Sequence, residues 1–171
     1  MTGVDETSWV ELYRTLEKPL YNVVYRWLWD SMESQDVVQE AFMRCWRVRD
    51  RIRPEGFKAF VYRTALNLAS NRRRARKLWR FVSFESLPEE PADAHPGAPM
   101  LSRHVQQAID SLPETLRRVL LLCELAGLSY GEVAAVVGVR EGTVGSRRNR
   151  ALALLRERLQ SPKELRNVDR A

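Results

Sequence analysis

Two sets of side chains in this chain have the types and spacing to do chemistry on nucleic acid. Arg63, Asn67, Asn71 and Arg74 recur at four- and three-residue intervals. On a helix that spacing places them along one side. Asn and Arg presented together suit base edges and phosphates. Thr143, Ser146, Arg147 and Arg150 also fall on one face of a helix, related by three- and four-residue intervals, some eighty residues later. A third set, Asp36, Gln39 and Glu40, lies upstream and is acidic and amide-bearing. Periodicity alone reads it as the exposed side of an amphipathic helix, with acids near the N-terminus for reasons of helix dipole; docking of a partner is the other reading.

Charge is distributed unevenly. Net charge is +6, but residues 1–40 hold 3 basic and 8 acidic residues, residues 41–80 hold 13 and 2, residues 81–102 hold none and 4, and residues 103–171 hold 12 and 8. Two basic blocks separated by an acidic segment suggest two nucleic-acid contacts joined by a stretch that avoids DNA. The basic run Arg72–Arg80 carries more charge than a helix C-terminus uses, which points to phosphates.

Other classes of chemistry find little footing. The two cysteines, Cys45 and Cys123, stand far apart in apolar surroundings and read as buried thiols. With only His95 and His104 beside them, a zinc site is not expected, and neither is any other metal or cofactor. No catalytic triad or phosphate-binding loop is visible, so an enzyme acting on nucleic acid is a weak alternative. No apolar run approaches the roughly 18–20 residues of a membrane span. The N-terminus lacks the basic and apolar regions of a secretory signal, so a cytoplasmic protein is expected.

The elements that must position these residues are helices. Apolar residues from Trp9 to Leu28 recur every three to four positions, with Pro19 predicting a kink or a junction of two helices. Trp29–Ser34 reads as a turn with Ser34 as cap of a helix from Gln35 to about Asp50, burying Val37 or Val38, Ala41, Phe42, Cys45 and Trp46. Pro54 and Gly56 break the pattern over residues 51–56. A helix is predicted from about Phe57 to Trp79, with Phe60, Thr64 or Ala65, Leu66, Leu68 and Ala69 inward. Residues 81–102, with Pro88, Pro91, Pro96 and Pro99, have the composition of a flexible linker. Phe81, Phe84 and Leu87 would anchor its first part.

Beyond the linker, a short helix over Val105–Leu112 is followed by one with Pro113 in its first turn and Ser111 or Leu112 near the cap. It carries Leu116, Val119, Leu120 and Cys123, and Ala126-Gly127 ends it. Ser129 caps another short helix, Gly138 and Val139 turn the chain, and a longer helix starts near Thr143. Val144, Ala151, Leu155 and Leu159 form its packing side, with Arg148 at the edge. This is a helix-turn-helix pattern, with a plain helical hairpin of basic surface as the alternative. The expected fold is all-α: two small helical domains, 8–80 and 103–161, joined by the linker 81–102.

These residues resemble the bacterial RNA polymerase sigma factors of the extracytoplasmic-function (ECF) type. Asp36-Val-Val-Gln-Glu-Ala-Phe-Met-Arg-Cys-Trp46 and Phe57-Lys-Ala-Phe-Val-Tyr-Arg-Thr-Ala-Leu-Asn-Leu-Ala69 are similar to sigma region 2. Ser111-Leu-Pro-Glu-Thr-Leu-Arg-Arg-Val-Leu120, Gly127-Leu-Ser-Tyr-Gly-Glu-Val-Ala134 and Gly142-Thr-Val-Gly-Ser-Arg147 are similar to region 4, read as its helix-turn-helix. The resemblance implies that Asp36, Gln39 and Glu40 dock on the clamp helices of the polymerase beta-prime subunit, and this displaces the bland reading of that face. It implies that Arg51, Ile52 and Arg53, in the 51–56 loop, capture a flipped base, and that Arg63, Asn67, Asn71, Arg72, Arg73 and Arg74 meet the −10 element. Base capture would couple recognition to opening. Arg63 and Thr64 stand where housekeeping sigma factors carry paired melting tryptophans. In region 4 it implies that Glu141, Thr143, Ser146, Arg147 and Arg150 face the −35 element. The family commonly has a basic residue where this chain has Gly145 and often a bulky one at Asn149. The implied partners are core RNA polymerase (beta-prime clamp helices and beta flap), promoter DNA and an anti-sigma factor, with no small-molecule substrate. A stand-alone helix-turn-helix regulator would explain residues 103–160 but not Asp36–Arg80, and would need a dimer on a two-fold site.

Overall fold

The computed structural model of the protein describes residues 5–83 and 103–160, the side chains of residues 80–83 excepted. Within them seven α-helices follow one another: α1 (Glu6–Leu28), α2 (Ser31–Arg47), α3 (Pro54–Ser83), α4 (Arg103–Asp110), α5 (Glu114–Glu124), α6 (Tyr130–Val137) and α7 (Glu141–Gln160). A 3-10 turn over Arg49–Arg51 joins α2 to α3. The expected all-α class holds. The inferred anchors Phe84 and Leu87 lie outside the described residues.

Helix α1 starts at Asp5, whose carboxylate accepts from the Ser8 N–H at 2.7 Å. It runs through Pro19 without dividing, so the alternative of two helices is corrected. The missing proline N–H costs one ladder bond, while Leu16, Leu20, Val23 and Val24 hold both sides of it in the core. Trp29 ends α1 in the left-handed conformation, φ 55°, and its N–H reaches the Tyr25 carbonyl. A large aromatic rarely adopts that backbone. Here its ring is buried edge-on against Tyr25.

The start of α2 is also corrected. Asp30, not Ser34, is the cap: its carboxylate accepts from the Glu33 N–H at 2.8 Å. Ser34 is a buried residue of the first turn and donates to the Asp30 carbonyl. The helix ends at Arg47 rather than near Asp50. Pro54 likewise opens α3 instead of breaking it. Proline at a first helical position loses nothing, because that N–H has no partner in any helix.

Helices α1, α2 and α3 pack on one another around Leu20, Trp27, Val37, Ala41, Cys45, Phe57, Val61, Tyr62 and Leu66, all at or near zero exposure. Trp9 closes one end, meeting Phe42 and Phe57 edge to face at centroid distances of 5.8 and 5.2 Å. Trp46 is only half-buried, its ring tilted against that of Trp9 at a centroid distance of 5.1 Å. Phe57, Val61 and Tyr62 join the inward residues of α3 foreseen from periodicity.

In the second half, α7 crosses α5 and α6. Pro113 is the residue before α5 rather than inside its first turn. Ser129 and Glu132 make a complete capping box at the start of α6. Gly138, at φ 73°, turns the chain between α6 and α7, a conformation open to glycine at no steric cost. Val144 and Ala151 are buried under α7, Leu155 is half-buried, and Leu159, expected inward, is exposed because α7 extends past its neighbours.

The two halves share one apolar cluster. Val119, Leu122, Val133 and Val136 belong to the same contiguous set as Phe57, Val61 and Tyr62. Helix α3 lies against α6, and α1 meets α5.

Candidate nucleic-acid and protein interfaces

The acidic face of α2 is built as its heptad-like pattern requires. Asp36 and Gln39 are exposed and Glu40 is half-buried. Glu40 is held from two sides, by Arg44 at 2.6 Å and by Arg72 of α3 at 3.1 Å. Arg72 also lies 3.9 Å from Asp36. Farther along, Arg76 pairs with Glu33. The basic end of α3 therefore neutralises part of this face and fixes its angle, and Arg72 spends its charge there.

Beside that face the surface is concave and apolar. A hollow of about 400 Å³ is lined by Glu6, Trp9, Val10, Tyr13, Gln39, Phe42, Met43 and Trp46. A second hollow shares Tyr13 and Gln39 with it. Val10 and Met43, which line the first hollow, are exposed large hydrophobics. The apolar periodicity put Trp9 in the buried stripe of α1 and left Val10 without a role; an apolar residue off the buried stripe was the available signal.

The connection between α2 and α3 is tight. Arg51 and Arg53 are exposed, and Ile52 is half-buried on the core. Arg49 lies over the Trp46 ring at 3.8 Å, which holds the turn against α2.

On α3, Arg63, Asn67, Asn71 and Arg74 are all exposed along one side, as their spacing predicts. Arg72 and Arg73 lie off that side. Arg73 donates to the Trp27 carbonyl at 3.2 Å and to Asp110 at 2.6 Å. The face itself meets the second half. Arg63 donates to the carbonyls of Val136 (3.0 Å) and Ala135 at the end of α6. Arg118 of α5 donates to Asn67 at 3.2 Å and to Ser70 at 3.1 Å. Arg74 reaches Asn71 at 3.4 Å and Glu114 at 3.3 Å. Burial alone would raise the Glu114 pKa, but hydrogen bonds from Ser70 and Arg118 and the charges of Arg118 and Arg74 hold it below the ordinary glutamate value. Lys58 donates to Glu132 at 2.7 Å.

On α7, Glu141 stands in the first turn, Ser146 and Arg150 are exposed, and Thr143 and Arg147 are half-buried. Ser146 donates to the Thr143 carbonyl at 3.0 Å. Arg148 is committed elsewhere, to Glu124 of α5 at 2.7 Å. Two glycines set the approach of α6 to α7. A Cβ on Gly131 would fall 2.9 Å from a Glu141 carboxylate oxygen, and one on Gly145 would fall 3.4 Å from the Tyr130 ring. The face is that of a helix-turn-helix second helix, with small polar and arginine side chains first.

Comparison with known proteins agrees with this geometry. Residues 12–78 match the model of sigma-70 region 2 and residues 102–155 that of sigma-70 region 4. The ECF RNA polymerase sigma factor SigE of Mycolicibacterium smegmatis is 36% identical over 163 residues, covering 89% of this chain but 62% of that relative's length. The ECF RNA polymerase sigma-E factor of Escherichia coli is 37% identical over 144 residues, covering 76% of this chain and 75% of the relative. The RNA polymerase sigma-H factor of Pseudomonas aeruginosa is 31% identical over 172 residues, 91% and 88% respectively. In fold, the chain is similar to CnrH in its complex with the cytosolic domain of CnrY, with a TM-score of 0.67 at 24% identity over 91% of this chain and 89% of that one. The sigma factor RpoE of Bartonella quintana, in complex with the anti-sigma factor NepR, gives a TM-score of 0.67 at 24% identity over 90% and 97%. With region 2 matched on α1 to α3 and region 4 on α4 to α7, in that order, the chain belongs to the ECF group of RNA polymerase sigma factors.

Proposed function

We propose that this chain binds core RNA polymerase and directs it to a set of promoters, making no bond itself. Asp36, Gln39 and Glu40, with the apolar hollow beside them, are the surface for the clamp helices of the beta-prime subunit. Region 4 meets the beta flap. Arg51, Ile52 and Arg53 and the α3 face of Arg63, Asn67, Asn71 and Arg74 take the −10 element as it opens, with Arg72 and Arg73 at the edge. Glu141, Thr143, Ser146, Arg147 and Arg150 take the −35 element in the major groove. The observation that carries this reading is the pair of Asn/Arg and Thr/Ser/Arg helical faces on one chain, one in each matched sigma region. Because the Bartonella relative is held by an anti-sigma factor, a cognate anti-sigma factor is the further partner proposed here. Among the described residues no helix is long and apolar enough to cross a membrane, and the site of action is the cytoplasm, with the polymerase.

The test is transcription from a promoter library by bacterial core polymerase with and without the protein. Sequence-selected initiation that falls at least ten-fold on Asp36→Ala plus Gln39→Ala supports the reading. No initiation and no binding to core polymerase sinks it, and specific binding of duplex DNA by the protein alone would move the weight to a stand-alone regulator.

A further inference from the structure

The six residues between α2 and α3, Val48-Arg-Asp-Arg-Ile-Arg53, include no glycine or proline. Short connections commonly draw their shape from those two residues. Here the shape comes from contacts at both ends. At the first end, the Arg49 guanidinium lies over the Trp46 ring, 3.8 Å from its centroid, and donates to the Trp46 carbonyl at 3.0 Å. That carbonyl belongs to the last turn of α2, where oxygens lack an intrahelical donor and the dipole favours a cation. The planar fork of arginine covers a ring and donates at its edge together, which the ammonium of lysine does less well. At the other end, Ile52 is half-buried on the core in extended backbone, φ −112° and ψ 130°. The Arg53 carbonyl accepts from the Gly56 N–H at 2.9 Å as α3 begins. Between the two ends the Arg51 N–H reaches the Val48 carbonyl at 2.9 Å and the Ile52 N–H the Arg49 carbonyl at 3.3 Å.

One indole of α1 ties the two ends together. The Trp9 ring meets Trp46, just before the connection, at 5.1 Å, and Phe57, just after it, at 5.2 Å. Phe57 is fully buried. The ring that carries Arg49 is therefore fixed to the first turns of α3, and the loop is closed at its base by aromatic contacts. Its arginines divide accordingly. Arg49 is half-buried and already engaged with a ring, a carbonyl and the Asp50 carboxylate, 4.0 Å away. Arg51 and Arg53 are exposed. A strand arriving at the loop meets the second pair, not Arg49.

We propose that Arg49 is a positioning residue for strand capture: seated on Trp46, it fixes the connection so that Arg51, Ile52 and Arg53 present one prepared surface to the −10 strand. The inference rests on the functional reading above and adds to it a residue that touches neither DNA nor polymerase. Ordering a loop costs conformational entropy, and a loop ordered before the strand arrives leaves that cost out of binding. Loss of Arg49 should therefore weaken strand binding without changing the number of phosphates neutralised. A direct phosphate contact would behave differently, because removing it lowers the salt dependence.

The experiment compares the full chain with Arg49→Ala and Arg49→Lys, free and assembled with bacterial core polymerase. Urea midpoints confirm that all three chains are folded under the assay conditions. In the free chain, trypsin reads the loop at the Arg51–Ile52 bond; cleavage there, followed by mass spectrometry, should be about three-fold faster or more in Arg49→Ala. In the holoenzyme, binding is titrated against salt on a DNA fork whose −10 strand is unpaired, taken from a promoter that the library selects. Expected for Arg49→Ala are an affinity for core polymerase within about two-fold of the wild type, fork binding weaker by about five-fold or more, and an unchanged salt slope. Arg49→Lys should fall between the two, because it keeps the charge and loses the planar contact. A slope lower by about one unit in Arg49→Ala, restored in full by Arg49→Lys, makes Arg49 a phosphate contact and overturns the inference. Unchanged cleavage or unchanged fork binding overturns it as well. A holoenzyme that selects promoters but is indifferent to Arg49→Ala removes this inference alone; a wild-type chain that selects no promoter removes the functional reading and this role with it.

Discussion

Arg73 and Arg117 converge on a single oxygen: the Nη1 atom of Arg73 lies 2.6 Å, and that of Arg117 3.0 Å, from Oδ1 of Asp110. One carboxylate at the end of α4 thus ties α3 to α5. The Arg117 side chain is buried, over the Trp27 ring of α1 at 4.7 Å. Burial, and then the charge of Arg73, push its pKa down to about 10, against the pull of Asp110 and Glu114.

Removing that carboxylate leaves two guanidinium groups facing each other in a poorly solvated site. Breaking one partner of a buried pair costs several kcal/mol. Asp110 keeps about a fifth of its surface, which lessens the loss, so Asp110→Asn should lower stability by about 2 kcal/mol. The urea midpoint of the full chain measures it. A midpoint within error of the wild type would mean that Arg117 finds water or another acceptor.

Cys45 should be chemically silent in the folded protein. Its thiol is fully buried beside the Thr64 hydroxyl, at 3.8 Å. Desolvation raises its pKa to about 11, and the contact with Thr64 offsets this only in part. At pH 8 on the order of 10⁻³ of it is thiolate. Iodoacetamide followed by peptide mass spectrometry should leave Cys45 unlabelled until urea is added. The folded state also holds this proton more tightly than the unfolded chain. The resulting stability is complete below the ordinary thiol pKa of 9 and is lost as pH rises through about 11. Rapid labelling of the native protein at pH 8 would contradict the packing of α2 on α3.

The Ser129 cap carries a prediction for region 4. The Ser129 hydroxyl accepts from the Glu132 N–H at 3.3 Å, and the Glu132 carboxylate accepts from the Ser129 N–H at 2.8 Å. Ser129→Ala removes the first bond and should cost about 1 kcal/mol, or roughly 3–5 °C in a thermal melt. The same carboxylate is held below its ordinary pKa first by the Lys58 hydrogen bond and then by the Ser129 backbone. Its contribution is present above the ordinary glutamate pKa and is lost as pH falls through the lowered value, so only acid below the ordinary glutamate range weakens the cap and the contact with α3 together. A melt of Ser129→Ala that matches the wild type at neutral pH would show that Glu132 alone secures this helix end.

What was legible in the sequence was local. The spacing of Arg63, Asn67, Asn71 and Arg74 is a helical period, and the four do share an exposed side. The Gly138 turn was legible because glycine is cheap at positive φ. The break between α1 and α2 was misplaced because Trp29, rather than a glycine, takes the left-handed position, and Asp30 caps across a gap of two residues. Pro54 was read as a breaker because a proline that opens a helix and one that ends it look alike until the chain after it is packed. The pairing of Arg118 with Asn67, 51 residues apart, and of Arg63 with the end of α6, 73 residues on, lay beyond any periodicity. Such contacts are set by the docking of two apolar surfaces, and no local pattern encodes them.

Gly145 offers the clearest separation of stability from DNA contact. It sits within α7, where glycine costs about 1 kcal/mol relative to alanine. An added Cβ would approach Cε2 of Tyr130 to 3.4 Å. Tyr130 is among the exposed aromatic side chains, at 40%, so its ring can yield a few tenths of an ångström. Gly145→Ala should therefore stabilise the chain, by about 0.5 kcal/mol after the contact is counted against the propensity gain. Gly145→Arg should keep part of that gain and place a cation on the helix that carries Ser146 and Arg150. If α7 lies on the −35 element, holoenzyme with Gly145→Arg should bind promoter DNA with a steeper salt dependence, by about one unit in the log–log slope. Thermal melts of the free chain and salt titrations of the holoenzyme read the two effects independently. Destabilisation by alanine would mean that Tyr130 is fixed and that Gly145 is there for packing. An unchanged salt slope with arginine would place position 145 away from the DNA backbone.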